Sequence, residues 1–201
     1  LVFKLYPDSQ TFFATLFGNN FIYYSMRKSN KISCVSNITL NKMKDYYPEF
    51  RNKLFLISAS TDFFLYKKNK YLKNQDWDFE FNKNEYILYV GSIEPRKNLI
   101  NLVKSFDLLS QKLTNKKLVL LSSHSWKYKK FYDVLNKSNV KNRILIINYV
   151  SDDELSKLYK NSLFTVLPSF YEGFGSTAFE SLAIGSSLVC TTECELAYLV
   201  N

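Results

Sequence analysis

From residue 86 onward the chain alternates between two hydrophobic patterns, and no other feature constrains its fold as much. Short apolar runs fall near 86–91, 117–122, 143–149, 163–168 and 187–191. Between them, near 98–113, 127–138, 152–161 and 176–185, apolar residues recur at helical spacing. Leu99, Leu102, Val103, Phe106 and Leu109 line one face of the first helical stretch, and Leu155, Leu158 and Tyr159 line one face of the third. Phe179, Leu182 and Ala183 are the expected buried face of the fourth. Ser151 and Glu154 form a capping box ahead of Leu155. A strand–helix repeat of this kind predicts an α/β domain with a doubly wound, parallel, Rossmann-like sheet.

Upstream the pattern is sparser: a helix near 9–28, a strand near 31–35, a helix near 37–47 and a strand near 53–57. Two strands do not make an independent α/β domain. Residues 67–84 are polar, rich in lysine and asparagine and poor in aliphatics, and read as an interdomain linker. The 201 residues suffice for one good-sized domain or one and a half. The expected organisation is therefore the tail of an incomplete first domain plus linker over 1–84, and a second domain over 85–201 that stops short at its carboxyl end.

Open α/β sheets bind ligands beyond the carboxyl ends of their strands, which directs attention to two strand-to-helix loops. The run Tyr86–Val90 leads into Gly91-Ser92-Ile93-Glu94-Pro95-Arg96-Lys97-Asn98, with Asn98 the expected cap of the next helix. Adjacent Arg96 and Lys97 suit a diphosphate, arginine as a bidentate fork and lysine as a point charge. The run Leu163–Leu167 passes through Pro168 into a loop with Gly173 and Gly175, and a helical pattern starts near Ser176. Backbone N–H groups around Phe174, Gly175 and Ser176, together with the helix dipole, can hold an anion there.

Glu172 and Glu180 frame that turn with seven residues between them. Each feature has a plain alternative. A Gly-Phe-Gly tripeptide is often only a turn, Arg96-Lys97 could be a solvated loop pair, and a glutamate near a helix start suits the dipole. Their occurrence in order, each after an apolar strand, favours a ligand site. A retaining glycosidase needs its carboxyl groups ~5–5.5 Å apart. Eight helical residues span ~12 Å at 1.5 Å rise per residue, so the spacing disfavours a hydrolytic pair.

The composition sets the remaining bounds. Hydrophobic residues are 46% and aromatics 17% of the chain, which argues for a packed core over disorder. No apolar run approaches the ~20 residues that span a bilayer. The formal charge of +9 comes mostly from lysines scattered over helix faces and loops, with no Arg-rich helix and no recognised nucleic-acid motif. A solvated lysine-rich surface is the expectation, with peripheral contact to an anionic membrane face next; no nucleic-acid partner is expected, and a basic nucleic-acid binder stands as the last alternative. Cys34, Cys190 and Cys194 lack framework spacing and His124 is the sole histidine, so reduced cytosolic thiols and no metal site are expected.

GSIEPRKN with its following helix, and EGFGSTAFES followed by LAIGSSLV, resemble the two signature regions of the family 4, or group 1, retaining glycosyltransferases of GT-B fold. Asn148–Tyr159 resembles the strand end and helix between them, and weaker likeness reaches through 32–36 and 56–62 into the family's first, acceptor-side domain. The resemblance covers roughly 31–201 and is most specific over 86–190. It implies a GT-B enzyme whose second domain binds a nucleotide-sugar donor, a UDP- or GDP-sugar, and moves a hexose, mannose among the candidates. The acceptor it implies is a cell-surface glycan or a lipid-linked glycan. It also implies a metal-independent, cofactor-free reaction. Arg96 and Lys97 would neutralise the departing diphosphate, with Gly91 and the 173–176 loop beside the donor. Glu172 would contact the donor sugar and Glu180 the ribose.

This sequence departs from the pattern at Ser176-Thr177, where leucine and proline are usual, and at Ser122-Ser123, where glycine is usual. Ser58-Ala59-Ser60 replaces an asparagine–glycine before Asp62. The first domain's glycine loop and acceptor-side residues have no counterpart. Two further readings stay open: a GT-B nucleotide-sugar epimerase, and a truncated nucleotide-sugar-binding module without transfer activity, since this stretch alone is expected to be inactive.

Overall fold

The computed structural model describes residues 1–7, 12–58, 82–122 and 128–200. Most of the expected linker, 67–81, lies outside them, as do Ala59, Ser60, Asp62, Ser123 and His124. The chain divides into two compact units. Of the described residues, 1–7, 12–58, 171–175 and 192–200 belong to the first, and 82–122, 128–170 and 176–191 to the second.

The second unit is a five-stranded parallel sheet. Its strands are β3 (Tyr86–Val90), β4 (Lys117–Leu121), β5 (Ile144–Ile147), β6 (Phe164–Leu167) and β7 (Leu188–Cys190). They lie in the order β5-β4-β3-β6-β7, so the chain winds outward from β3 in one direction and then returns to wind in the other. Each successive pair is joined by one helix: α4 (Leu99–Leu108), α5 (Lys129–Lys137), α6 (Asp152–Asn161) and α7 (Ser176–Ala183). The expected strands and helices are all present, within two residues of their bounds except that α4 ends at Leu108 and not near 113.

Burial on both faces explains the uninterrupted apolar runs. On one face Ile87 and Tyr89 of β3 pack with Val103 and Phe106 of α4 and Phe131 and Leu135 of α5. On the other, Tyr86 and Leu88 pack with Leu158 and Tyr159 of α6. Period-two alternation therefore sends neighbouring residues of one strand into two different cores. α6 begins as its sequence predicts. The Ser151 hydroxyl accepts from the Glu154 N–H at 3.3 Å, and the Glu154 carboxylate accepts from the Ser151 N–H at 2.7 Å.

The first unit contains α1 (Val2–Leu5), α2 (Phe12–Lys28), β1 (Ile32–Cys34), α3 (Asn37–Tyr46), β2 (Leu54–Leu56) and α8 (Glu195–Val200). β1 and β2 pair in parallel, Ile32 opposite Leu54 and Cys34 opposite Leu56. Its core gathers Met26, Cys34, Met43, Tyr47, Phe50 and Leu54. The Lys53 ammonium closes the carboxyl end of α2, donating to the carbonyls of Arg27 at 3.1 Å and Ser29 at 2.7 Å. Among the described residues, no helix is long and apolar enough to cross a membrane.

Two local expectations need correction. In α7 the fully buried residues are Ala178 and Ser181, while Leu182 is 45% exposed and Ala183 is exposed. The helix sits against β6 and β7 through small side chains, so the phase read from Phe179, Leu182 and Ala183 is wrong. In α4, Leu109 is likewise exposed and falls just beyond the last helical residue.

Ser151→Ala is expected to reduce folding stability by about 1 kcal/mol, read as a lower urea midpoint with unchanged slope. An unchanged midpoint would show that the capping box contributes nothing in solution.

Candidate functional site

Because all five strands are parallel, their carboxyl ends share one end of the sheet. The winding direction reverses between β3 and β6, which pair directly through Ile87 opposite Phe164 and Leu88 opposite Thr165. At such a reversal the loops leaving two adjacent strands turn away from each other and leave a crevice. The two loops singled out in the sequence are the ones that leave β3 and β6.

They are tied together near their roots. The Phe170 N–H donates to the Arg96 carbonyl at 3.0 Å, and the Asn98 side-chain amide donates to the Pro168 carbonyl, also at 3.0 Å. Asn98 thus holds a place the sequence assigned differently. It precedes α4, but its φ is 60° and its side chain makes no cap bond to the helix. A left-handed asparagine is tolerated because its short amide can bond locally, and here that amide reaches the neighbouring strand's exit. At the start of α7 the Thr177 hydroxyl donates to the Val90 carbonyl at 3.3 Å, fixing the helix to the end of β3.

Gly91 has φ 153°, and a Cβ there would lie 2.7 Å from the Tyr89 hydroxyl. That hydroxyl donates to the Ser92 carbonyl at 3.0 Å, so a side chain at position 91 would displace the bond that turns the loop. Pro95–Lys97 form one 3-10 turn. Arg96 is held within it, since its guanidinium donates to the Glu94 carboxylate at 2.6 Å with side-chain exposures of 15% and 4%. Lys97 is half-buried on the same turn. Sequence reasoning treated Glu94 only as part of the motif. It orients the Arg96 fork while sharing its charge.

Glu180, in α7, has a partner that the sequence placed only in the core. The hydroxyl of fully buried Tyr159 donates to its carboxylate at 2.9 Å. Burial raises the Glu180 pKa above the ordinary carboxylate value, and the Tyr159 bond partly offsets that shift. Burial, followed by the nearby Glu180 charge, pushes the Tyr159 pKa well up, so the phenol stays a donor.

The site residues divide between the two units. Gly91, Arg96, Lys97, Ser176 and Glu180 belong to the second, and Glu172, Gly173, Phe174 and Gly175 to the first. Gly175 has φ 82°, a left-handed conformation that glycine alone adopts without strain, immediately before α7. Glu172 is buried, with its N–H donating to the Glu193 carbonyl at 2.8 Å. Among the described residues, no three His, Cys, Asp or Glu side chains group as a metal site, and Cys34, Cys190 and Cys194 are free thiols.

A raised carboxylate pKa means that the folded state favours neutral Glu180. Its contribution is fully present below the unfolded pKa and is lost as pH rises through the folded one. Glu180→Gln removes that loss. The melting temperature of the variant minus that of the parent should therefore increase from about pH 4 to about pH 8. A difference independent of pH would contradict the buried carboxylate.

A sequence model of the family described as "Glycosyl transferases group 1" matches residues 73–201. O-antigen chain mannosyltransferase B of Escherichia coli is 32% identical over 117 residues, which are 58% of this chain and 31% of that protein. Sucrose-phosphate synthase from Thermosynechococcus elongatus superimposes with a TM-score of 0.71 at 16% identity, covering 100% of this chain and 50% of that one. WaaG, a glycosyltransferase involved in lipopolysaccharide biosynthesis, does so at 0.65 and 16%, covering 96% and 55%. The chain spans less than half the length of the curated relatives it matches. The structural likenesses give the fold, α/β of GT-B type. With the family match over more than half of its length, the chain belongs to the group 1 glycosyltransferases.

Proposed function

We propose that this chain carries the donor side of a retaining glycosyltransferase that moves a hexose from a UDP- or GDP-sugar to a cell-surface glycan or lipid-linked acceptor. The observation that carries the reading is the pairing of β3 with β6 at the reversal of the sheet, with Arg96, Lys97 and the amino terminus of α7 all at its exit. In this proposal residues 85–201 form the donor domain and 1–84 belong to the acceptor-side domain and linker.

The chemistry needs what that exit offers. Glycosyl transfer breaks the bond between the anomeric carbon and the diphosphate oxygen, which leaves with the bonding pair. An acceptor hydroxyl takes the anomeric carbon and passes its proton to the departing diphosphate. Negative charge grows on the departing diphosphate, and preorganised cations and N–H donors at that point lower the barrier most. Arg96, oriented by Glu94, offers a fork and Lys97 a point charge. The first N–H groups of α7, from Ser176, add the helix dipole. These groups supply the positive charge that a divalent metal would otherwise bring, so the proposal includes neither metal nor cofactor.

Glu180 is assigned to the ribose hydroxyls and Glu172 to the donor sugar. A carboxylate accepts from two vicinal hydroxyls at once, and Tyr159 keeps one Glu180 oxygen in place for that task. A mannosyl donor is favoured by the name of the Escherichia coli relative, which acts on O-antigen chains. Catalysis next to the cytoplasmic membrane face fits a lipid-linked acceptor and the excess of lysine.

Lys97→Ala should weaken binding of UDP or GDP about tenfold or more, as expected for one charged hydrogen bond, and leave uridine or guanosine binding unchanged. Arg96→Ala should do the same, although it also strands the buried Glu94 carboxylate, so its melting temperature must be followed. Isothermal titration of nucleotide and nucleoside decides the matter, and equal losses for both ligands would make the two side chains structural.

A further inference from the structure

We propose that Thr39 and Ser36, at the amino terminus of α3, are positioning residues for Glu172: two hydroxyls from an early part of the chain hold the loop that presents the donor-sugar glutamate. The inference rests on the assignment of Glu172 made above.

The loop 171–175 follows β6 in sequence but packs in the first unit, and its attachment there is specific. The Gly173 carbonyl, one residue beyond Glu172, accepts from both the Ser36 hydroxyl and the Thr39 hydroxyl, the latter at 3.0 Å. A hydroxyl has one proton and two lone pairs. Ser36 spends its lone pair on the Thr39 N–H at 3.0 Å, capping α3, and its proton on Gly173. Thr39 gives its proton to Gly173, so the Tyr171 hydroxyl, 3.2 Å away, is the donor in that second contact. Residues on both sides of Glu172 are thus bonded to the same threonine.

The remaining freedom is removed by Glu193. Its carbonyl accepts the Glu172 N–H, and its carboxylate pairs with Lys42 at 2.7 Å. The Lys42 ammonium also lies 5.3 Å from the centre of the Tyr171 ring. α3 is itself anchored, because the fully buried Glu195 carboxylate accepts from the Asn37 amide at 2.8 Å and from the Ile38 N–H at 3.0 Å. A carboxylate that must meet one sugar hydroxyl needs placement to within a fraction of an ångström, and side chains that lock its neighbours supply it. Anchoring that served only folding would affect stability without separating nucleotide from sugar.

The test uses the protein as its gene encodes it, with affinities for UDP, GDP, UDP-glucose and GDP-mannose measured by calorimetry alongside turnover. Thr39→Val keeps the shape of the side chain and removes both hydroxyl contacts. Nucleoside diphosphate affinity should stay within about twofold of the parent, because the Thr39 bonds described above run to Gly173 and Tyr171 and not to Arg96, Lys97, Ser176 or Glu180, the groups assigned to it. The added affinity from the sugar, or kcat, should fall about tenfold or more. Thr39→Ser should restore both, and Glu172→Gln should reproduce the same split. If Glu172→Gln shows the split and Thr39→Val does not, the positioning role is wrong while the sugar assignment stands. Absence of the split in Glu172→Gln would remove the sugar assignment and the positioning role with it. Equal losses for nucleotide and nucleotide sugar in Thr39→Val would also overturn the proposal. Should Thr39→Val fail to fold, Tyr171→Phe, which removes only the hydroxyl on the same threonine oxygen, is read by the same criteria.

Discussion

The pairing of β3 with β6 is the constraint from which the features of the candidate site follow. β3 lies where the winding reverses, with β4 and β5 laid down on one side of it and β6 and β7 on the other. Right-handed crossovers place the helices of the two windings on opposite faces, and β3 accordingly feeds two separate cores from alternate residues. The same reversal brings the exits of β3 and β6 side by side, which no local sequence signal could do alone. Bonds from Asn98 to Pro168, from Phe170 to Arg96 and from Thr177 to Val90 then tie the roots of the two loops and the start of α7 to one another.

The two glutamates are held by different physics. Glu180 sits on a helix, and its position comes from the α7 backbone and one phenol buried beneath it. Glu172 sits on a loop, and its position comes from carbonyl and N–H bonds to α3 and to Glu193. Helical placement is rigid by construction, whereas a loop residue needs partners supplied by other elements. Accordingly, Ser36, Thr39 and Glu193 of the first unit all bond to residues 171–173.

The order and type of the elements over 86–190 were legible because buried parallel strands and amphipathic helices carry distinct periodicities. The Ser151–Glu154 box was legible because both partners lie within four residues. The phase of α7 was not, since periodicity weighs apolar residues, whereas this helix buries small ones. Ser162, Thr165 and Ser186 form a hydroxyl network at its carboxyl end, with oxygens 3.0 and 3.2 Å apart, and leave Leu182 outward. Asn98 read as a cap because its residue type fits one, and only the approach of Pro168 gives its amide another partner. Tyr159, Thr39 and Glu195 act across separations of 21, 134 and 158 residues, beyond the reach of any local pattern.

The central claim is that the exit of β3 and β6 binds the diphosphate of a nucleotide sugar. A crystal structure of the protein with UDP or GDP tests it most directly. The account predicts phosphate oxygens within hydrogen-bond reach of Lys97 or Arg96 and of the first N–H groups of α7, with the ribose on Glu180. A nucleotide bound elsewhere, or no saturable binding of either nucleotide, would contradict it.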